Sequence, residues 1–249
     1  MAAAPGDDGR MLRRLAAALC LLPWLAPGHA APQATAIAEP VRLVVSPAAS
    51  ARGDEIADAA VALLMRHAGL SYTLAREPVG RALASFRAGR YDADMLRLPQ
   101  FDQVVPGAIR VDPHLLSTTI LAFGRGPAAP PGSWADLGEL KVAHVRGVKA
   151  IELGLAGRAG VEVTSTAEAC LGMVAMRRVD LCLLNAERDY GAPPRVDGVE
   201  LHRSVLAHVK LHVWVAPGQQ ALAQRLSAAM HAALASGELA RVAGGNREP

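Results

Sequence analysis

An α/β fold of two similar halves is what the sequence predicts, and three observations carry that prediction. Short apolar, β-branched runs alternate with stretches of helical period, giving the order β-α-β-α-β. The order occurs twice, once from Val41 and again from Lys141, and a Pro/Gly/Ala-rich stretch, Gly124 to Gly132, lies between the two series. Such an order implies parallel strands joined by right-handed crossovers. Each half is then a Rossmann-like lobe, with ligands expected beyond the carboxyl ends of its strands.

The chain opens with a segment that reads as an export signal. Arg13 and Arg14 precede the apolar stretch Leu15 to Ala26, and Gly28-His29-Ala30 supplies small residues around a cleavage point. The expectation is a signal peptide over residues 1–30, with Met11 or Met1 as initiator, and a linker over 31–40. The apolar run is shorter than the roughly 20 residues of a membrane span and holds Pro23 and Pro27, so cleavage is favoured over anchoring. A lipid on Cys20 is the lesser alternative, and the periplasm is the expected compartment.

From Val41 the elements follow in order. Val41 to Val45 reads as a buried strand ending at Ser46-Pro47. A helix opens near Asp54, with Ile56, Ala60, Leu63, Leu64 and His67 at helical spacing, and stops at Gly69. Ser71 to Leu74 is a second strand. Pro78 precedes a helix with Leu83 and Phe86 inward, closed by Gly89, and Asp92 to Leu96 is a third strand. Ile109 to Val111 and Thr119 to Phe123 read as two further strands.

In the second series Lys141 to Val145 is a strand, Lys149 to Leu155 a helix, and Val161 to Val163 a strand. Thr166 to Arg177 is a helix and Val179 to Leu184 a strand. Leu211 to Val215 makes one more strand, and Gln220 to Val242 is helical, with Leu222, Leu226, Met230 and Leu234 on one stripe.

Composition narrows the partners. The net charge is +3, and no basic run interleaves with aromatics, which argues against nucleic acid. The eight histidines are scattered singly, so no metal site and no cofactor is expected. Aromatic residues make up 4% of the chain, which makes stacked-sugar and quaternary-amine pockets poor fits. Cys170 and Cys182 would share an oxidising compartment that permits a bridge, but their apolar neighbours favour two buried thiols.

Several segments together carry a family resemblance. They are Phe86-Arg-Ala-Gly89-Arg-Tyr-Asp92, Val111-Asp-Pro113 running into Phe123, Trp134-Ala-Asp-Leu137, Val145-Arg-Gly147, Met176-Arg-Arg-Val-Asp180, and Leu226 to Leu239 with Ser236-Gly237-Glu238. In this order and spacing the chain resembles the bacterial extracellular solute-binding proteins of the polar amino-acid transporter class. The resemblance implies a two-lobed periplasmic-binding-protein type 2 fold whose cleft closes on a solute. Lobe 1 would comprise 41–116 and 209–249 and lobe 2 would comprise 117–208, with hinges near Ser117 and His208. It further implies a monomer that works with a membrane permease or receptor in another chain.

The chain also departs from that pattern. Amino-acid binders of the class place a carboxylate-clamping arginine several residues beyond the Gly-x-x-Asp motif. Here Asp92-Ala-Asp-Met-Leu-Arg97 sets it early, and none follows from Leu98 to Val105. Where the class has its ammonium-binding aspartate, the chain has Asn185, and Val148-Lys149 stands where a threonine often opens the lobe 2 helix. These departures favour a small polar or anionic organic solute over a standard α-amino acid.

The candidate ligand-binding residues are Arg97, Arg81, Ser46, Arg146, Val148, Lys149 and Asn185. A guanidinium at Arg97 can hold a carboxylate or phosphate with two parallel hydrogen bonds. Arg81 opens the helix after Pro78 and could enter the same cleft. Arg146, Gly147, Val148 and Lys149 form a turn into a helix, where N–H groups and the helix dipole favour an anion. Ser46 and Asn185 end strands. Asp92 and Asp180, alike in context, read as structural.

Two other readings use the same fold. One is a periplasmic enzyme resembling cyclohexadienyl dehydratase, for which Glu187 and Asp94 are the available carboxylates. The other is a solute-sensing module for a signalling receptor. No nucleophile or metalloprotease motif supports catalysis, and the chain is expected not to be an enzyme.

Overall fold

In a computed structural model of the protein, the described residues are 39–48, 50–126, 129–186 and 194–242. The predicted signal peptide, Cys20 and Glu187 lie outside them.

The first half begins with β1 (Val41–Val45), α1 (Ala51–Ala68), β2 (Tyr72–Arg76), α2 (Val79–Arg87) and β3 (Ala93–Arg97). The strands lie in the order β2-β1-β3, all parallel, as the alternating sequence predicts. Helix α1 starts three residues before Asp54. Ser50 is its N-cap and accepts from the Gly53 N–H at 3.0 Å, leaving Asp54 to accept from the Ala48 N–H and to pair with Arg76. Gly69, in the left-handed region at φ 60°, ends the helix as expected.

The second half repeats the scheme with β5 (Val142–Val145), α3 (Lys149–Gly154), β6 (Val161–Thr164), α4 (Ala167–Ala175) and β7 (Leu181–Ala186). Its parallel strands lie in the order β6-β5-β7. Two antiparallel strands of 17 residues each, β4 (Ile109–Arg125) and β9 (Val199–Val215), run between the halves, so the hydrogen-bonded order is β2-β1-β3-β9-β4-β7-β5-β6. A short strand, β8 (Arg195–Val196), pairs with the start of β9. The two strands expected at 109–111 and 119–123 are thus one, interrupted by a shift of register between Val111 and Leu116. Strand β9 reaches 12 residues further back than the expected Leu211. The terminal helix is two, α5 (Gln220–Ala235) and α6 (Glu238–Val242), divided where Gly237 takes φ 68°.

Both aspartates read as structural do the same work. Asp92 accepts from the N–H of Arg42, at the start of β1, at 2.8 Å and returns its own N–H to the Arg42 carbonyl. Asp180 accepts from the N–H of Lys141, just before β5, at 2.7 Å and likewise returns its N–H to Lys141. Each knot ties the entry of the third strand to the start of the first. Burial pushes the Asp92 carboxyl up, but hydrogen bonds from the Arg42 side chain, its backbone and Gln219 outweigh it and leave the pKa lowered.

One core, including Leu43, Met95, Leu64, Val213 and Leu226, packs α1 and α5 on one face of the first half. The opposite face holds a smaller cluster of Phe86, Phe101, Val105 and Trp214. The second half has a core on each face of its sheet. Cys170 of α4 and Cys182 of β7 are disulfide-bonded there, which corrects the expectation of two free thiols. Helical period turns Cys170 onto the strand that carries Cys182, and their Cα atoms stand 5.6 Å apart, within bridging range.

Candidate functional site

Polar residues collect at the carboxyl ends of β1, β2 and β3, and strand register explains which of them meet. Val44 pairs with Ala75 on one side and with Asp94 on the other, so these three side chains share one face of the sheet. Two residues on, Ser46 and Glu77 return to that face. On β3 the corresponding residue is Leu96, which takes φ 59°. Asp94 and Arg97 pair with Trp214 and His212 of β9, three residues against two, so one residue is bulged out. The bulge sets Arg97, rather than Leu96, in the row beside Ser46 and Glu77.

The Arg97 side chain is 10% exposed and Asp94 is fully buried. Arg97 Nε donates to Asp94 Oδ1 at 2.7 Å, and the guanidinium carbon lies 5.4 Å from the centroid of the Phe101 ring. Tyr91 donates its hydroxyl to Glu77 Oε1 at 2.9 Å. Burial, opposed by the charge and hydrogen bond of Arg97 and reinforced by Glu77, raises the Asp94 pKa from 3.8 to about 6. Burial and then the bond to Glu77 push the Tyr91 phenol up as well. Trp214 Nε1 donates to the Leu98 carbonyl at 3.2 Å, which fixes the chain just past the strand end.

The sequence-predicted residues fall into three groups. Ser46 and Arg97 stand in this row with Glu77, which the sequence reading did not select. Arg81 is exposed on α2. Arg146 and Val148 lie between β5 and α3, Lys149 is the first residue of α3, and Asn185 lies on β7 opposite Ile120 of β4. The turn into α3 is capped from within. Glu152 accepts from the Gly147 N–H at 2.8 Å and pairs through its other oxygen with Lys149, and these contacts lower its own pKa despite burial. Two of the groups expected to meet an anion therefore already have a carboxylate.

A crevice of about 470 Å³ runs between the halves. Leu98, Pro99 and Gln100 line one side, Trp134, Ala150, Leu153 and Gly154 the other, and residues 207–210 of β9 form its floor. It adjoins Arg97 and Lys149 in sequence, yet no predicted site residue lines it. Among the described residues no cluster could hold a metal ion, and no helix is long and apolar enough to cross a membrane.

No protein-family model and no curated protein sequence matches the chain. Solved structures do. The GluR0 ligand-binding core in complex with L-glutamate aligns at a TM-score of 0.62 and 16% identity, covering 84% of this chain and 98% of its own. A histidine kinase sensor domain similar to periplasmic binding proteins aligns at 0.58 and 16%, covering 82% and 95%. The arginine-, lysine-, histidine-binding protein ArtJ from Geobacillus stearothermophilus aligns at 0.53 and 14%, covering 85% and 97%. The chain has the two-lobed fold of the type 2 periplasmic binding proteins.

Proposed function

We propose that this two-lobed chain captures a small polar organic solute between its lobes and presents it to a membrane permease or receptor in another polypeptide. Lobe 1 is residues 41–116 with 209–249, lobe 2 is residues 117–208, and Ser117 and His208 mark the hinges. Export through the signal over residues 1–30 puts the activity in the periplasm. The similar structures include the substrate-binding protein of an amino acid ABC transporter and a histidine kinase sensor domain, and one act of capture serves either use.

The observation that carries the reading is the state of Arg97. It is nine-tenths buried at a strand end, where this fold gathers ligands, and its Nη2 takes no hydrogen bond among the described residues. Ser46 joins it from lobe 1. Arg146, Val148, Lys149 and Asn185 contribute from lobe 2, and Arg81 stands at the rim. Capture is favoured over turnover because the similar structures include named binding proteins.

A thermal-shift screen of the purified protein against organic acids, amines, amino acids and phosphates tests the proposal, since a ligand of the folded state raises the melting temperature by mass action. A saturable rise with one chemical class is expected, and Arg97→Lys, which keeps the charge but loses the fork, should weaken that ligand about tenfold or more. A screen with no stabilising compound would overturn solute capture.

A further inference from the structure

The structure assigns an amine-accepting pocket to lobe 1: an ammonium group of the solute sits on Glu77, Asp94 and Ser46 at the carboxyl ends of β2, β3 and β1. This deepens the solute-capture reading and rests on it. In the family that the sequence resembles, the ammonium partner is expected on lobe 2, at the position of Asn185. Here the carboxylates stand on the other lobe.

Three arguments converge. First, seven buried side-chain polar atoms take no hydrogen bond among the described residues, and four of them fall in this one row: Ser46 Oγ, Glu77 Oε2, Asp94 Oδ2 and Arg97 Nη2. Buried polar groups are paired in more than nine cases of ten, so four in one place mark a site for something that pairs them. Second, the unspent capacity has a composition. Tyr91 already takes Glu77 Oε1 and Arg97 already takes Asp94 Oδ1, which leaves two carboxylate acceptors, one hydroxyl that accepts as well as donates, and the N–H groups of Arg97 Nη2. An ammonium carries three donors and no acceptor, and it satisfies the two carboxylates and the hydroxyl. The N–H groups of Arg97 Nη2 call for an acceptor oxygen elsewhere on the same solute.

Third, the charges do not balance. Glu77 and Asp94 formally bring two negative charges against the one positive charge of Arg97. A simple anion added here would leave Arg97 shared and the carboxylates repelled, whereas a cation completes the set. The ligand class is therefore an amine that also bears an acceptor group, rather than an anion alone.

Three five-carbon probes separate the possibilities: cadaverine, 5-aminopentanoate and glutarate, each titrated into the purified protein by calorimetry with melting temperature as a second readout. The expected result is saturable binding of 5-aminopentanoate, weaker binding of cadaverine, which offers Arg97 no acceptor, and none of glutarate. Glu77→Gln should weaken the amine probes about tenfold while the unliganded protein keeps its melting temperature. Ser46→Ala serves as a second variant should Glu77→Gln fold poorly.

Binding of glutarate without the amines would overturn the amine pocket and leave solute capture standing. So would amine binding that is equal in wild type, Glu77→Gln and Ser46→Ala, since the amine would then be held elsewhere. Failure of all three probes, alongside a neutral or anionic hit in the wider screen, would also overturn the pocket alone. Failure of every compound would remove the capture reading as well.

Discussion

Asp94 and Arg97 neutralise each other where neither is well hydrated, and the balance is set by pH. The Asp94 carboxyl moves from 3.8 to about 6 on folding, so the folded state binds its proton more tightly than the unfolded state. Its contribution to stability is then greatest below about pH 4 and is lost as pH rises through about 6. Wild type should therefore gain on Asp94→Asn by about 1 to 3 kcal/mol as pH falls across that window, measured by urea unfolding at several pH values. A constant difference would show that Asp94 titrates alike in both states. At this scale the sequence disclosed part of the candidate row. Arg97 and Ser46 were legible because a strand end in a parallel sheet is where ligands gather. Glu77 ends β2 by the same logic and could have been found that way. The bulge could not, because a leucine in the left-handed region leaves no mark in composition or period.

Helices and strands were legible where one period ran unbroken. Strand β1 was read to the residue, and the ends of α1 and α2 were marked by Gly69 and Gly89. Strand β9 was cut short because residues 199–210 mix buried Leu201 and Leu206 with His202, Arg203 and Ser204, which hides the alternation. The disulfide was not legible because thiol burial looks the same in both redox states. Comparing the two lobes also yields an expectation about one helix end. Three residues before each structural aspartate the chain turns left-handed, using Gly89 in lobe 1 and Arg177, at φ 57°, in lobe 2. A side chain in that region costs about 1 kcal/mol, so Arg177→Gly should stabilise the protein by about that amount, visible as a rise in melting temperature. An unchanged or lower value would mean that the arginine side chain offsets its own strain.

At the scale of the molecule, each lobe has its own core and a tryptophan to report on it: Trp214 with Phe101 in lobe 1, and Trp134 with the core around Ile151 in lobe 2. The Cys170–Cys182 bridge lies wholly in lobe 2. Its reduction should cost about 2 to 4 kcal/mol there. In variants that keep a single tryptophan, reductant should move the Trp134 denaturation midpoint to lower urea while Trp214 moves less. Equal shifts would show that the lobes unfold as one. Lobe movement itself is constrained by the crossing. From Leu116 to Ile120, β4 stays paired with β9 from Leu211 to Ala207, so no slack loop joins the halves. Ser117 and His208, proposed above as hinges, sit within this two-stranded ladder, so closure as proposed would twist the ribbon around them. The twist of that ribbon, rather than linker length, would then govern reopening of the proposed cleft.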